Sequence, residues 1–259
     1  GDSMELNRDY ESAAIYKWRK KRKKAFVLFI CIVGICFLVT RMVRVEDKTT
    51  VKVHNMHTEQ NEKAIRYVAS NMIKEDPKIA ITFDDGPSPA WTPQLLDGLK
   101  ERNVKATFFL IGENAKNNPE LVKREAEEGH LIGNHTYHHV EITRVPDETA
   151  QEEILMTNEV ITGITREEVS YMRPPFGVWQ KNLERKLDVM PVLWTIDPLD
   201  WTTDNEDEII NKVVTQAGEN DIILLHDCYE SSVNAALRIV DILQKEGFEF
   251  VTVDELIMN

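Results

Sequence analysis

The sequence predicts an α/β fold built on a parallel sheet, open or curled into a barrel, and two observations carry that reading. Short apolar runs alternate with amphipathic, helix-like segments from Lys78 to the end of the 259-residue chain. Ionisable side chains also stand at the carboxyl ends of five strand-like runs, where folds of this layout bind ligands. In order, the strand-like runs are KIAITF (78–83), VKATFFL (104–110), HLIGNH (130–135), a short one at Ser170–Met172, VMPVLWTI (189–196), DIILLH (221–226) and FEFVTV (248–253). Helices are expected at Thr92–Arg102, Pro119–Glu128, Asp147–Thr162, Asn205–Ala217 and Ser232–Lys245.

The composition, 42% hydrophobic and 29% charged, supports one full-sized core without disulfide staples. Eleven Gly and ten Pro are too few for a collagen-like or low-complexity chain. The net charge of −13 divides unevenly, +6 over residues 1–45 and −19 over the remainder. So acidic a domain is unsuited to a phosphate backbone, so nucleic acid is not an expected partner. The basic excess belongs to a different feature. Seven Lys and Arg between Lys17 and Lys24 precede sixteen uncharged residues, AFVLFICIVGICFLVT, at 25–40. Extended through Arg41, Met42 and Val43, with Arg41 snorkelling, the run reaches about 28 Å, close to the ~30 Å hydrocarbon core. The following RMVRVED offers no small-residue cleavage site, which argues against a signal peptide. The expected layout is a cytoplasmic basic tail (1–24), a membrane anchor (25–43), an extracellular polar stem (44–76) with a helix over Thr58–Lys74, and a catalytic-sized domain (77–259).

Cys31 and Cys36 fall in the apolar run, leaving Cys228 alone in the outer domain, so neither an intradomain disulfide nor a cysteine zinc site is expected. The polar residues at the strand ends are more informative. Asp84-Asp85-Gly86-Pro87 is a turn former on composition alone. Adjacent side chains at a strand end point to opposite sides, so the two aspartates are also placed for different tasks in one cleft. His135 and His139, four apart, would share one face of a helical turn and suit two ligands of one divalent metal, a carboxylate completing the set. His138 is then the spare. Asp200 and His226 are placed to form a carboxylate–imidazole pair; His135 with His139, and His226 by itself, also have purely structural readings, as surface or capping histidines and as a satisfied histidine. Trp201 and Leu224 read equally well as core or as pocket wall, with core favoured.

Taken together, T-F-D-D-G-P (82–87), H-T-x-x-H (135–139), R-P-P-F-G (173–177), D-x-x-D-W (197–201) and L-L-H (224–226) resemble the five ordered motifs of the NodB-type polysaccharide deacetylases, carbohydrate esterase family 4. The resemblance covers 77–259 and implies a deformed (β/α) barrel with metal-dependent deacetylase activity. It implies that Asp85, His135 and His139 hold one divalent metal ion, zinc first, with cobalt or another ion also serving. Asp84 would be the general base, steadied by Arg173, and His226 the general acid, tuned by Asp200. Trp201 and Leu224 would wall an acetyl pocket, reversing the core reading above. Phe176, where many relatives have Tyr, would contribute its backbone N–H to the oxyanion. An anchored, outward-facing deacetylase is placed to reach the cell wall, so the expected substrate is N-acetylglucosamine in peptidoglycan. Chitooligosaccharide, N-acetylmuramic acid, exopolysaccharide and acetylxylan are the competing substrates, and a silent carbohydrate-binding module is the competing class.

Overall fold

The structure, a computed structural model, describes residues 76–180, 183 and 187–258. The basic tail, the anchor at 25–43 and the stem helix at Thr58–Lys74 lie outside the described residues. Among the described residues no helix is long and apolar enough to cross a membrane.

The elements in chain order are β1 (Lys78–Asp84), α1 (Thr92–Glu101), β2 (Thr107–Leu110), α2 (Gly112–Asn117), α3 (Pro119–Glu127), β3 (Leu131–Asn134), α4 (Asp147–Thr165), β4 (Tyr171–Met172), β5 (Met190–Pro191), α5 (Glu206–Val214), β6 (Ile222–His226), α6 (Glu230–Lys245), β7 (Glu249–Phe250) and α7 (Val253–Met258). Every strand pairing is parallel, in the order β5-β4-β3-β2-β1-β6, and β7 joins the first two residues of β1. The result is a curled parallel sheet, a half-barrel wrapped in helices.

A central parallel strand is covered on both faces, and β1 shows how its sequence meets that demand. Ile79, Ile81 and Phe83 join the main apolar cluster with Leu95 and Leu99 of α1 and Ile239 and Leu243 of α6. Alternation turns Ala80, Thr82 and Asp84 to the inside of the curl, where Ala80 packs with Phe109, Val192 and Val253. Within β3, only glycine fits at 133, because a Cβ there would stand 2.5 Å from the Phe109 ring.

Two of the expected strands are cut short. The run at 189–196 forms strand only at Met190–Pro191, with an isolated bridge from Ile196 to Ile223 of β6. Pro191 has no N–H to donate, and the Val192 and Leu193 carbonyls accept from the Arg173 guanidinium instead of a neighbouring strand. This one segment thus pairs with β4 at its start and touches β6 at its end, joining the two edges of the curl. The run at 248–253 turns helical at Val253 because Thr252 begins a capping box: the Glu255 side chain accepts the Thr252 N–H at 3.1 Å.

Candidate active site

Because the strands run parallel, β1, β3, β4 and β6 deliver Asp84, His135, Arg173 and His226 to the same end of the sheet. Asp84 and His226 are direct register partners on adjoining strands. The bridging segment brings Asp200 to the same place.

Arg173 is the largest fully buried side chain among the described residues, filling the inside of the curl with its guanidinium carbon 4.3 Å from the Phe109 ring centre. Nη1 donates to Asp84 Oδ1 at 2.8 Å and to Thr82 Oγ1 at 2.7 Å, while Nε and Nη2 donate to the Val192 and Leu193 carbonyls. A buried charge is tolerable only when paired and hydrogen-bonded, and these bonds satisfy that condition. Asp84 thus has one oxygen committed, and its Oδ2 lies 3.8 Å from His135 Nε2.

Simple alternation would aim Asp85 away from Asp84. Instead the chain leaves β1 in a left-handed conformation at Asp85 (φ 72°), which swings this second carboxylate back into the same cleft. The Asn114 side chain holds the turn by donating to the Asp85 carbonyl at 2.8 Å. Asp85 Oδ1 then lies 3.3 Å from Nε2 of both His135 and His139 and has no hydrogen-bond partner, though it is buried. Burial pushes this carboxyl up, but the imidazoles of His135, His226 and His139 around it outweigh burial and hold the group below its usual range.

The expected helical turn joining the two histidines is absent. Thr136 (φ 60°) and His139 (φ 55°) are left-handed, and residues 135–139 form an irregular loop. Local side chains take the N–H groups that a helix would use: Asn134 Oδ1 accepts from Thr136, and Glu153 Oε2 accepts from Tyr137 and His138. The loop still brings the two imidazoles to one point, their rings 5.0 Å apart. His138 turns away to Glu153 Oε1 at 2.7 Å. His135 Nδ1 lies 2.7 Å from the Arg173 carbonyl, which only accepts, so Nδ1 carries a proton and Nε2 is the nitrogen turned toward Asp85. Burial, reinforced by His135, pushes His139 down toward its neutral form.

Asp85, His135 and His139 offer one oxygen and two nitrogens, all within 4.8 Å of one another. A buried, unpartnered carboxylate oxygen facing the Nε2 atoms of two imidazoles is a donor set suited to a divalent ion such as zinc.

On the other flank, Asp200 grips His226 twice, through ring Nδ1 and through the backbone N–H, each at 2.8 Å. Burial alone would lower this imidazole's pKa, but the Asp200 bond and charge, with Asp84 and Asp85 beyond, raise it to about 9. Its Nε2 faces the cleft, 4.0 Å from Asp85 Oδ2. Leu224, two residues earlier on β6 and 4% exposed, lies on the same strand face. Trp201 is not core: it is 57% exposed on the loop carrying Asp200, a short 3₁₀ turn that follows a left-handed Leu199. Phe176 is 62% exposed, left-handed (φ 62°), and its ring stands 5.0 Å from that of His139. Burial and the nearby aspartates raise the Cys228 thiol to about 12, so it is a neutral thiol.

Sequence reasoning missed the residues that position this site. Thr82 lies within the first motif and alternation places it beside Asp84, so its signal was present. Asn134 stands directly before the first histidine. Asn114 and Glu153 act across 29 and 15 to 16 residues of chain, and no local pattern marks them. Asp227, fully buried, accepts from the Thr92 hydroxyl and lies so close beneath the turn that a Cβ on Gly86 would meet it at 2.4 Å.

Comparison with known proteins places this geometry. Residues 71–192 match the family described as Polysaccharide deacetylase. The peptidoglycan-N-acetylglucosamine deacetylase PgdA of Listeria monocytogenes is 37% identical over 216 residues, 81% of this chain and 46% of that protein. A peptidoglycan-N-acetylglucosamine deacetylase of Bacillus cereus is 39% identical over 199 residues, 74% of this chain and 93% of its own length. The peptidoglycan-N-acetylmuramic acid deacetylase PdaC of Bacillus subtilis is 39% identical over 178 residues, 69% of this chain and 38% of that protein. A solved structure of peptidoglycan deacetylase PdaC superposes with a TM-score of 0.69 at 38% identity, covering 70% of this chain and 90% of that one. The match to the Listeria protein spans less than half of its length.

Proposed function

The chain belongs to the polysaccharide deacetylase family, and from that premise we propose that it hydrolyses the N-acetyl group of N-acetylglucosamine in peptidoglycan, releasing acetate. The observation that carries this reading is the meeting of two unlike halves in one cleft: the Asp85, His135 and His139 set on one side, and the Asp200–His226 pair on the other. A divalent ion held there, zinc first and cobalt second, would supply a polarised acetyl carbonyl and a water of lowered pKa.

The chain's own residues do the rest. Asp84, with Oδ1 engaged by Arg173, takes the proton of the attacking water. The Phe176 backbone N–H serves the developing oxyanion. His226, kept protonated by Asp200, delivers its Nε2 proton to the departing nitrogen as the C–N bond breaks, leaving acetate and a free amine on the sugar. Trp201 and Leu224 wall the pocket for the acetyl methyl.

Anchoring through residues 25–43, with the catalytic unit outside the cell, belongs to the same proposal. It is supported by the seven basic residues that precede the uncharged run. The name of PdaC supports a second substrate in the same polymer, N-acetylmuramic acid. Acetate release from peptidoglycan with zinc or cobalt supplied tests the function, and sugar analysis of the product tells glucosamine from muramic acid. A carbohydrate-binding module would retain the polymer and release nothing. No acetate from peptidoglycan or N-acetylglucosamine oligomers would sink the enzymatic reading.

A further inference from the structure

His135 and His139 are held by different means. His135 is 3% exposed, and the Arg173 carbonyl aims it through Nδ1. His139 has no such partner: among the described residues its ring meets Asp85, His135 and Phe176, and nothing hydrogen-bonds Nδ1. Its aim must come from its backbone, which is itself in an unfavourable left-handed conformation at φ 55°. Such a conformation costs on the order of 1 kcal/mol in a non-glycine residue and persists only where the surroundings over-determine it.

The over-determination is visible. Carbonyls 136 and 137 accept from the N–H groups of Gly112 and Glu113 at the start of α2. The Val140 N–H, just past His139, donates to Thr136 Oγ1 at 3.1 Å. The middle of the loop is held by one side chain. Glu153 of α4, 7% exposed, accepts from the Tyr137 N–H at 3.0 Å, the His138 N–H at 2.8 Å and the His138 ring at 2.7 Å. One turn of helix along, the Ile154 carbonyl and the Asn158 side chain anchor Asn134, whose own oxygen takes the Thr136 N–H.

We infer that Glu153 is a positioning residue for metal binding, fixing the 135–139 loop through the Tyr137 and His138 amides and the His138 ring so that His139 presents its Nε2 to the Asp85–His135 pair. His138 is then the outer handle of the loop rather than a ligand. α4 becomes part of the metal site although it contributes no ligand. A carboxylate suits the task because it accepts at both oxygens at once; glutamine keeps the shape but turns an N–H₂ toward a donor it should accept from.

This inference rests on the metal reading proposed above, and the test reads metal binding rather than acetate release. Zinc and cobalt dissociation constants are measured on the chain and on its Glu153→Gln, Glu153→Ala and His138→Ala variants. The cobalt absorption spectrum reports ligand geometry, and circular dichroism of the metal-free proteins reports the fold. Glu153→Ala should weaken binding by about 10- to 100-fold and alter the cobalt bands, on the scale seen when outer-shell partners are lost. Glu153→Gln and His138→Ala should fall between Glu153→Ala and the unaltered chain. A folded Glu153→Ala with unaltered affinity and spectrum overturns the inference and leaves the metal reading intact. If Glu153→Ala does not fold, unaltered affinity and spectrum in Glu153→Gln overturn it equally, since Glu153 then serves only the fold. An unaltered chain that binds no metal overturns both.

Discussion

Asp200 holds His226 by ring and by backbone together, Oδ1 on Nδ1 and Oδ2 on the peptide N–H, each at 2.8 Å. The double grip fixes the ring plane and leaves Nε2 as the one nitrogen facing the cleft.

In the proposed mechanism that grip should set the alkaline limit of activity. The folded-state pKa of His226 is raised to about 9, above the usual histidine value of about 6.5. The acid therefore stays protonated until pH rises through about 9, while the stability contributed by the pair is fully present below about 6.5 and is lost between there and about 9. Asp200→Asn removes the raising interaction while burial continues to lower the pKa, so the alkaline limb of kcat/KM should move to the acid side. A pH–rate profile of the two proteins checks the direction.

The proposed mechanism gives the neighbours Asp84 and Asp85 separable roles. Asp84→Asn should cut acetate release by about 10²- to 10⁴-fold, the range for loss of a general base, while zinc affinity changes little. Asp85→Asn should lose the metal itself. Metal analysis beside an acetate assay distinguishes the two, and one equivalent of zinc per chain is expected before substitution.

Removing bound metal with a chelator should abolish acetate release while the fold persists, because the sheet and its apolar clusters form without the Asp85, His135 and His139 side chains. Activity should return with zinc or cobalt. Unchanged turnover after complete chelation, verified by metal analysis, would count decisively against the mechanism.

Arg173→Met strands a buried Asp84 and two carbonyls, so it should destabilise the fold by about 3–5 kcal/mol. Arg173→Lys should restore little, since a single ammonium does not reproduce the planar fork that spans Asp84, Thr82, Val192 and Leu193. Adding Asp84→Asn to Arg173→Met should recover part of the loss. Denaturant titration of the single and double variants measures it.

Gly133→Ala should cost about 1–3 kcal/mol through overpacking. The new methyl would stand 2.5 Å from the Phe109 ring and 3.0 Å from the Tyr171 carbonyl, and the backbone oxygen has little room to yield. The strain lies two residues before His135, so zinc affinity should fall together with the melting temperature.

The alternation of apolar runs located β1, β2, β3 and β6 to within three residues, because those strands lie in a continuous ladder and their burial is written as local hydrophobicity. It overstated the 189–196 run, where Arg173, distant in sequence, takes the carbonyls that a strand would use. Helical spacing paired two histidines that the structure does bring together, but by the wrong geometry: the loop reaches the same end through two left-handed residues and a carboxylate on α4. Trp201 read as core because hydrophobicity is local, whereas its exposure depends on the 3₁₀ turn that carries it.

By itself the sequence determined the α/β class, the family and the polar side chains that meet in one cleft, since each depends on residue type and order along the chain. Only the tertiary structure decided that Asp85 turns back into the cleft, that Arg173 fills the inside of the curl, and that Glu153 holds the histidine loop. The physical reason is that these are hydrogen bonds and dihedral choices enforced by partners far along the chain. Their energies are set by burial, and burial exists only once the sheet has curled.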